Sequence, residues 1–251
     1  MPKQVGIIKL KGKLGDLSLY QTKDGYLARL KGGVDKSRIE KDPAFARTRE
    51  NGREFGHAGS TGKLIRGAFR SLIGRAKDNR VTSRLHKVLM GILQTDDGHP
   101  RGARTVEGGD LALLAGFEFN GNAPLSAAVF FPWAVNIDRV AGSVDFDLEA
   151  FTPIEALSAP GGATHFRIMV GSAAIDFAQS SFVGKSAESG WLPWDGQELV
   201  AQTLAVAMPA GSNLPLLNVL GVEFGQEVNG EVYLLQNGAY NSLQLITVDT
   251  V

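Results

Sequence analysis

The sequence contains no cysteine. A disulfide framework, a thiol nucleophile and a cysteine-based metal site are therefore excluded, and the redox compartment is left open. Long apolar runs are also absent: no window approaches about 18 uninterrupted apolar residues, so no membrane span is predicted. Lys9, Lys11 and Lys13 interrupt the first apolar stretch, which argues against a secretory signal. We expect cytoplasmic synthesis, with any extracellular location reached by lysis or a non-standard export route.

Signatures of catalysis and of cofactor binding are lacking as well. The four histidines, at positions 57, 86, 99 and 165, include no pair with a spacing that holds a metal. The stretch GHAGSTGKLIRGAFR, residues 56–70, superficially resembles a phosphate-binding loop, but five residues separate Gly56 from Gly62 and Leu64 replaces the metal-binding hydroxyl. We predict that the glycines form a joint between two helices and that Ser60 or Thr61 caps the second. The sequence thus predicts no catalytic residue, no cofactor, no metal and no enzymatic activity.

Positive charge is scarce in the second half of the chain. Residues 106–251 contain 3 Lys and Arg against 16 Asp and Glu, whereas residues 1–105 contain 23 against 10. Such asymmetry indicates a basic region with an anionic partner, which could be nucleic acid or the acidic half of another copy. We place a domain boundary in the glycine-rich stretch around residue 105, with a basic module at 1–105 and an acidic domain at 106–251.

The basic module is predicted to contain a β-hairpin followed by three helices. Lys23-Asp24-Gly25 suits a tight hairpin turn, and apolar and basic residues alternate over residues 8–11 as in a half-buried strand. A helix is predicted after Asp42-Pro43, a second from about Gly62 to Lys77 and a third from about Arg80 to Gln94. The last two carry a basic outer face made of Lys63, Arg66, Arg70, Lys77, Arg80, Arg84 and Lys87.

The acidic domain has the pattern of an antiparallel β-sandwich. Short apolar runs recur between glycines, prolines and asparagines, and Asn229-Gly230 and Asn237-Gly238 are expected to join three strands of a C-terminal meander. The predicted fold class is therefore α+β, with the hairpin and the three-helix basic module preceding a sandwich of immunoglobulin-like or jelly-roll type. Its candidate acidic partner face consists of Asp145, Asp147, Glu223, Glu227 and Glu231, and Trp191 and Trp194 form a possible aromatic contact loop.

The first 105 residues resemble a family of uncharacterised bacterial proteins. The resemblance lies in GKLGDLSLYQTKDGYLARLKGG at 12–33, DPAFARTRENGREFGHAG at 42–59 and GKLIRGAFR at 62–70, which contain the patterns GDLxxYxxxDGYxxRxKGG and DPAFxRTRENxxEFGxAG. It implies that the basic module is a recurring unit. It implies no catalytic residue, because the family's function is unknown.

These features favour a non-enzymatic structural protein that self-assembles head to tail into a filament, tube or shell. Charge would select the partner surface, and the strand-like segments QVGIIKLKG and LQLITVDTV would each be able to join a neighbour's sheet. The alternative is a nucleic-acid-associated packaging or virion-like protein that uses the basic helices. A third interpretation is a glycan-binding β-sandwich module that uses the tryptophan loop.

Overall fold

The computed structural model describes residues 2–30 and 32–250, apart from the side chains of Gln236 and Asn237. The chain is a mixed α+β protein whose sheets are antiparallel. It divides into two compact units, Met1–Arg49 and Glu50–Val251. Within the described ranges, no helix combines the length and the apolar character needed to cross a membrane.

The described strands and helices follow one another as strands, then helices, then mostly strands. The strands are β1 Gly12–Leu14, β2 Leu17–Thr22, β3 Gly25–Leu30, β4 Phe117–Glu118, β5 Trp133–Asp138, β6 Ser143–Leu148, β7 His165–Asp176, β8 Ser181–Glu188, β9 Leu192–Pro193, β10 Gln202–Ala207, β11 Leu216–Val228, β12 Glu231–Leu234 and β13 Ser242–Asp249. The α-helices are α1 Lys36–Lys41, α2 Ala46–Ala68, α3 Arg70–Ile73, α4 Val81–Leu93, α5 Leu125–Ala128 and α6 Pro153–Ala156. Short 3-10 turns occupy Pro43–Phe45, Leu111–Leu114 and Leu235–Gly238.

The first unit contains a three-stranded sheet in the order β1-β2-β3. The predicted hairpin is confirmed: Thr22 pairs with Gly25, whose φ of +111° suits a glycine in the turn. The strand predicted over residues 8–11 is wrong. Those residues belong to a loop that the Gln4 side chain closes, because its Oε1 accepts from the Leu10 N–H at 2.9 Å and its Nε2 donates to the Leu10 carbonyl at 3.1 Å.

Helix α2 runs without interruption through the glycines that we expected to form a joint. Its glycines allow the neighbouring helix to approach closely: a Cβ at Gly62 would lie 3.1 Å from Leu89 Cδ1 in α4. Ser60 does not cap a helix, since its hydroxyl donates to the His57 carbonyl in the preceding turn at 2.8 Å. The prediction of two helices failed because packing against α4 compensates for the weak helix propensity of glycine.

The remaining helix predictions are partly confirmed. The predicted helix from Gly62 to Lys77 is divided, because α2 ends at Ala68 and α3 begins only after Phe69, whose φ of −107° and ψ of 22° depart from helical geometry. Helix α4 agrees with the prediction to within one residue at each end, and its buried residues include Leu85, Leu89 and Ile92. Regular apolar spacing made α4 the easiest of the helices to predict.

A seven-stranded sheet forms the centre of the second unit, with the main order β4-β13-β11-β7-β8, while β12 pairs with β11 and β9 with β7. Side chains along β7 alternate between two apolar cores. Met169, Ala173 and Ile175 join the core shared with α2, α3 and α4, whereas Phe166 and Ile168 join a core on the opposite face. Both faces of this sheet are therefore covered, which explains why β7 and β11 are almost continuously buried.

The second core lies between this large sheet and a three-stranded sheet in the order β10-β6-β5. Val144, Phe146 and Leu148 of β6 point into the core, and the alternate residues point outward. One edge strand of the small sheet, β10, lies beside β8 of the large sheet. The other edge strand, β5, pairs with β6 alone in the described part of the chain.

The two asparagine-glycine pairs have different structures. Asn229 and Gly230 have φ values of 55° and 85° and connect β11 to β12 in the tight hairpin that the sequence predicts. Asn237 and Gly238 end a 3-10 turn instead, and β13 pairs with β11 rather than β12. The predicted three-strand meander is therefore wrong at its second turn.

The division into units also differs from the expected boundary near residue 105. Helices α2 to α4 share an apolar core with the seven-stranded sheet, from Ala58 through to Leu245. The boundary between the compact units therefore falls between Arg49 and Glu50 in the sequence rather than in the glycine-rich stretch. Amphipathic helices must bury their apolar faces, and here they do so against strands that lie far away in sequence.

Candidate interaction surfaces

The first unit exposes most of its apolar side chains. Among its described residues Leu27 is the one buried hydrophobic, whereas Val5 is 88% and Ile8 78% exposed. A row of leucines crosses one face of its sheet: Leu14 pairs with Leu17 and Leu17 with Leu30, and all three are exposed. This row was not predicted, because the apolar pattern of β2 and β3 indicates burial, whereas the described residues leave these three side chains exposed.

The opposite face of this sheet contains Tyr20 and the buried Leu27 and, nearer β1, polar and basic side chains. Lys13 pairs with Ser18, and Ser18 pairs with Arg29, so these three side chains share the face turned away from the leucines. The unit as a whole contains 12 Lys and Arg and 5 Asp and Glu. The second unit, from Glu50 onward, contains 14 and 21. The two units therefore have net charges of equal size and opposite sign.

The predicted basic face of the second unit is only partly available. Lys63, Arg70, Lys77, Arg80 and Lys87 are exposed and have no ion-pair partner among the residues that the structure describes. Arg66 is half-buried and donates to the Gly62 carbonyl of its own helix at 3.2 Å. The face therefore retains five exposed cations.

Arg84 was wrongly assigned to that face, because its guanidinium joins α4 to the large sheet. Its Nη2 lies 2.6 Å from Asp78 Oδ2, and its Nη1 and Nη2 donate to the carbonyls of Glu118 and Phe119 at 2.6 and 3.1 Å. Burial alone would raise the pKa of Asp78, but hydrogen bonds from the Arg80 N–H and from Arg84 outweigh burial and hold this pKa below its ordinary value.

Two of the five predicted acidic residues lie on the outer face of the small sheet. Asp145 and Asp147 alternate with the buried residues of β6, and Asp147 accepts hydrogen bonds from Asn136 Nδ2 at 2.6 Å and Thr203 Oγ1 at 2.5 Å. Asp138 of β5 pairs with Ser143 and belongs to the same outer face. The other residues of these three strands that point outward are Ala, Asn, Ser or Thr, so the outward side chains of these strands include carboxylates and no cation.

Glu223 is not on a partner face. Its side chain is fully buried, and its Oε2 lies 3.1 Å from Arg75 Nη2 and in hydrogen-bond contact with Arg167 Nε. The same two arginines contact Glu188, with Arg75 Nη2 2.6 Å and Arg167 Nη1 3.1 Å from its carboxylate. This four-residue network connects the end of α3 to β7, β8 and β11. Glu227 and Glu231 are exposed, as predicted.

Trp191 and Trp194 do not form one aromatic surface. Trp194 packs against the core between the two facing sheets, next to strand β9, which pairs with Phe166. Trp191 lies against Arg167, whose guanidinium carbon is 4.5 Å from the ring centroid. Phe166 and Arg167 are consecutive residues of β7 and face opposite ways, so the two tryptophans lie on opposite faces of the large sheet.

The described residues form no deep polar cleft with catalytic character. A concavity of about 530 Å³ is lined by residues that include Arg84, Lys87, Phe117 and Glu118. Burial raises the pKa of Glu118, although its Oε1 accepts from the Leu125 N–H at 3.0 Å and from Gln244 Nε2 at 2.5 Å. Another concavity, of about 280 Å³, is lined by small and uncharged residues around Pro124 and Tyr240. Three or more potential metal-ligating side chains converge nowhere in residues 2–30 and 32–250.

Comparison with models of protein families, with curated proteins and with solved structures finds no match for this chain. The surfaces described above are therefore the basis for a functional proposal. They comprise an exposed apolar and basic sheet in the first unit, five exposed cations on helices α2 to α4 and in the segment that connects α3 to α4, and an acidic outer sheet face with an open edge at β5.

Proposed function

We propose that this chain is a non-enzymatic structural protein that self-assembles head to tail into a filament, tube or shell. The observation that carries the proposal is the first unit, which exposes Val5, Ile7 and Ile8 together with the leucine row and buries Leu27 alone among its described apolar residues. A folded segment with so much exposed apolar surface gains free energy by docking onto another surface.

The opposite charges of the two units support docking between copies. A basic surface on one unit and an acidic surface on the other form a heterologous contact, which either closes into a ring or continues as a polymer. Exposed ion pairs contribute about 0–1 kcal/mol each, so apolar burial supplies most of the affinity while charge selects register and polarity.

Sedimentation velocity at low and high ionic strength tests this proposal, with negative-stain microscopy of the same samples. We expect large species at low salt that dissociate as salt rises, because screening weakens the attraction between the units. A protein that remains monomeric at low salt and high concentration would contradict self-assembly.

A matched pair of variants separates the first unit's surface from general stickiness. Val5→Ser with Ile7→Ser and Ile8→Ser should weaken assembly by about tenfold or more, because it removes exposed apolar area. Leu113→Ser with Val200→Ser changes exposed apolar residues of the second unit that are remote in sequence from β5, and should leave assembly unchanged. Equal losses in both variants would count against a specific role for the first unit.

Nucleic-acid packaging is a second candidate, which the five exposed cations Lys63, Arg70, Lys77, Arg80 and Lys87 favour. Those cations would bind phosphates without reading sequence. Absorbance at 260 nm that copurifies with the particle and disappears after nuclease treatment would support this function. Particles free of nucleic acid would contradict this second function and would be consistent with self-assembly without cargo.

The finer fold assignment belongs to the same proposal. We assign the packing of the small sheet on the large one to a β-sandwich of immunoglobulin-like or jelly-roll type, supported by antiparallel pairing in both sheets and by their shared apolar core. An experimental structure with Greek-key connections between the two sheets would support the assignment.

A further inference from the structure

We infer that edge strand β1 of one copy pairs with edge strand β5 of a second copy, which joins two three-stranded sheets into one six-stranded intermolecular sheet. This inference rests on the proposed self-assembly and names the surfaces that carry it. It assigns the donor to the first unit and the acceptor to the second unit.

Strand β5 is an edge without the usual protection. Its sequence, WAVNID, contains no lysine, arginine or proline, and β5 pairs with β6 alone in the described part of the chain. The Glu149 N–H donates to the Pro132 carbonyl, so in the antiparallel register the backbone groups of Ala134 and Asn136 also point toward β6. Those of Trp133, Val135 and Ile137 then point to the open edge, where they can bind a further strand.

Strand β1 is the matching open edge of the first unit, because among described residues it pairs with β2 alone. It is already extended, so it can bind without refolding. The lysines around it disfavour pairing between two copies of β1, since like charges would face each other across the new ladder. An acidic acceptor removes that penalty.

The two faces of the sheets also match. Leu14 pairs with Leu17 across a two-residue turn, so Gly12 and Leu14 bond to β2 and the backbone groups of Lys13 point to the open edge. A parallel pair of β1 and β5 therefore places Lys13 opposite Ala134 or Asn136, and Lys13 and Arg29 join the outer face that carries Asp138, Asp145 and Asp147. The leucine row then continues the inner, apolar face of the small sheet, next to the half-buried Val135 and Ile137 and to Trp133. Asn136 lies opposite Asp145 in the register, so the side chain of a lysine next to Asn136 can reach across toward that carboxylate.

Disulfide mapping can test this pairing directly, because the protein contains no cysteine of its own. A Lys13→Cys copy is mixed under mild oxidation with an Ala134→Cys, an Asn136→Cys or an Asp138→Cys copy, and heterodimers are counted on a non-reducing denaturing gel. All four positions are exposed, so the substitutions should not disturb folding. In the parallel pair, Ala134 or Asn136 lies directly opposite Lys13 on a strand about 4.8 Å away, which is within the Cα separation that a disulfide spans.

Two controls make the result specific. Leu14→Cys lies on the opposite face of β1, so it should not cross-link to Asn136→Cys if a regular strand pair forms. Ala205→Cys lies on the same outer face of the small sheet but on its far edge strand, β10, and should not cross-link to Lys13→Cys. Heterodimers from same-face pairs at β5, with neither control reacting, are the expected result.

Other outcomes overturn the inference in distinguishable ways. Assembly without these heterodimers, or with equal cross-linking at Ala205→Cys, would reject the β1–β5 pairing while self-assembly stands. A disulfide that forms within a Lys13→Cys/Asn136→Cys chain but not between singly substituted copies would reject the intermolecular contact. Lack of any assembly would reject the proposed function together with the inference, and binding of anionic lipid vesicles that is lost in Lys13→Glu would assign the basic edge to membranes instead.

A charge exchange gives an independent check in the native sequence background. Lys13→Glu should weaken assembly several-fold, and mixing it with an Asp145→Lys copy should restore assembly, because the two reversed charges meet at the new contact. Glu198→Lys alters an exposed carboxylate away from this sheet and should give no rescue. Equal rescue by both copies would show only a general charge effect and would contradict the assignment of Asp145.

Discussion

In the first unit one described apolar side chain, Leu27, is buried, whereas the second unit buries two apolar clusters on the two faces of its large sheet. Charges are used differently as well. The first unit has mainly exposed lysines and arginines, while the second unit places Arg84, Arg104 and Arg167 in contacts with carboxylates. The second unit thus has the interior of an independent fold, whereas the first unit exposes apolar surface that a second copy would cover in the proposed assembly.

The largest expected effect is the difference in the free energy of unfolding between alanine substitutions of a buried and an exposed isoleucine. Ile65 is fully buried in the core beneath α2, so Ile65→Ala should lower the free energy of unfolding by about 2–5 kcal/mol. Ile8→Ala should change it by less than about 0.5 kcal/mol, because this side chain is exposed. Urea unfolding of the monomer at high salt measures both. Similar losses would show that the first unit's apolar loop is covered within the monomer.

The next effect compares two ion pairs. Glu54 is buried and accepts from Arg104 Nε at 2.8 Å and Nη2 at 2.9 Å, whereas Glu40 lies 3.6 Å from Lys36 on an exposed helix face. Glu54→Gln should cost about 3 kcal/mol, because Arg104 keeps its charge in a mostly buried place without a counterion. Glu40→Gln should cost no more than about 0.5 kcal/mol. Thermal and urea unfolding of both variants provide the measurement.

The ion pair of Glu54 also makes the stability of the folded protein depend on pH. Hydrogen bonds from Arg104 hold the pKa of Glu54 below its ordinary value of 4.5, despite the opposing effect of burial. The unfolded state therefore binds a proton before the folded state does, so the contribution of Glu54 is complete above that ordinary value and is lost as pH falls through the folded pKa. Glu54→Gln should lose less stability over that acidic range than the parent protein. Parallel pH profiles would contradict this role.

The smallest expected effect is the difference in stability between substitutions of two residues of the predicted basic face, Arg84 and Arg80. Arg84→Gln should destabilise the monomer by about 2 kcal/mol, because it leaves Asp78 and two backbone carbonyls without their charged donor. Arg80→Gln removes an exposed cation and should change stability by less than about 0.5 kcal/mol. If nucleic acid binds this face, Arg80→Gln should weaken that binding. Equal stability of the two variants would contradict the structural role of Arg84 and would support its original assignment to the exposed basic face.

The correct sequence predictions depended on local signals. Asp24-Gly25 and Asn229-Gly230 specify tight turns through residues that tolerate positive φ, and the apolar spacing of α4 defines a helix without reference to its neighbours. The alternation around Asp145 and Asp147 likewise placed both side chains outward. Each of these patterns is completed within a few residues.

The errors arose where distant segments decide the structure. Gly56 and Gly59 interrupt a helix pattern in sequence, yet α2 continues because α4 packs against it. Glu223 has the sequence context of an exposed strand residue, but Arg75 and Arg167 approach it from elsewhere in the chain and allow its burial. No local pattern reveals such partners. The open edge at β5 was missed for the same reason, since an edge exists only once the whole sheet is known.

Strand β13 lies between β4 and β11 in the large sheet, and its Ile246 contributes to the core beneath the small sheet. During translation the large sheet is therefore completed only after residues 242–249 have left the ribosome, and such long-range pairing is slow. Strand β1, the proposed donor strand, emerges long before that point. We expect this order of synthesis to delay joining between neighbouring nascent chains until the large sheet has formed.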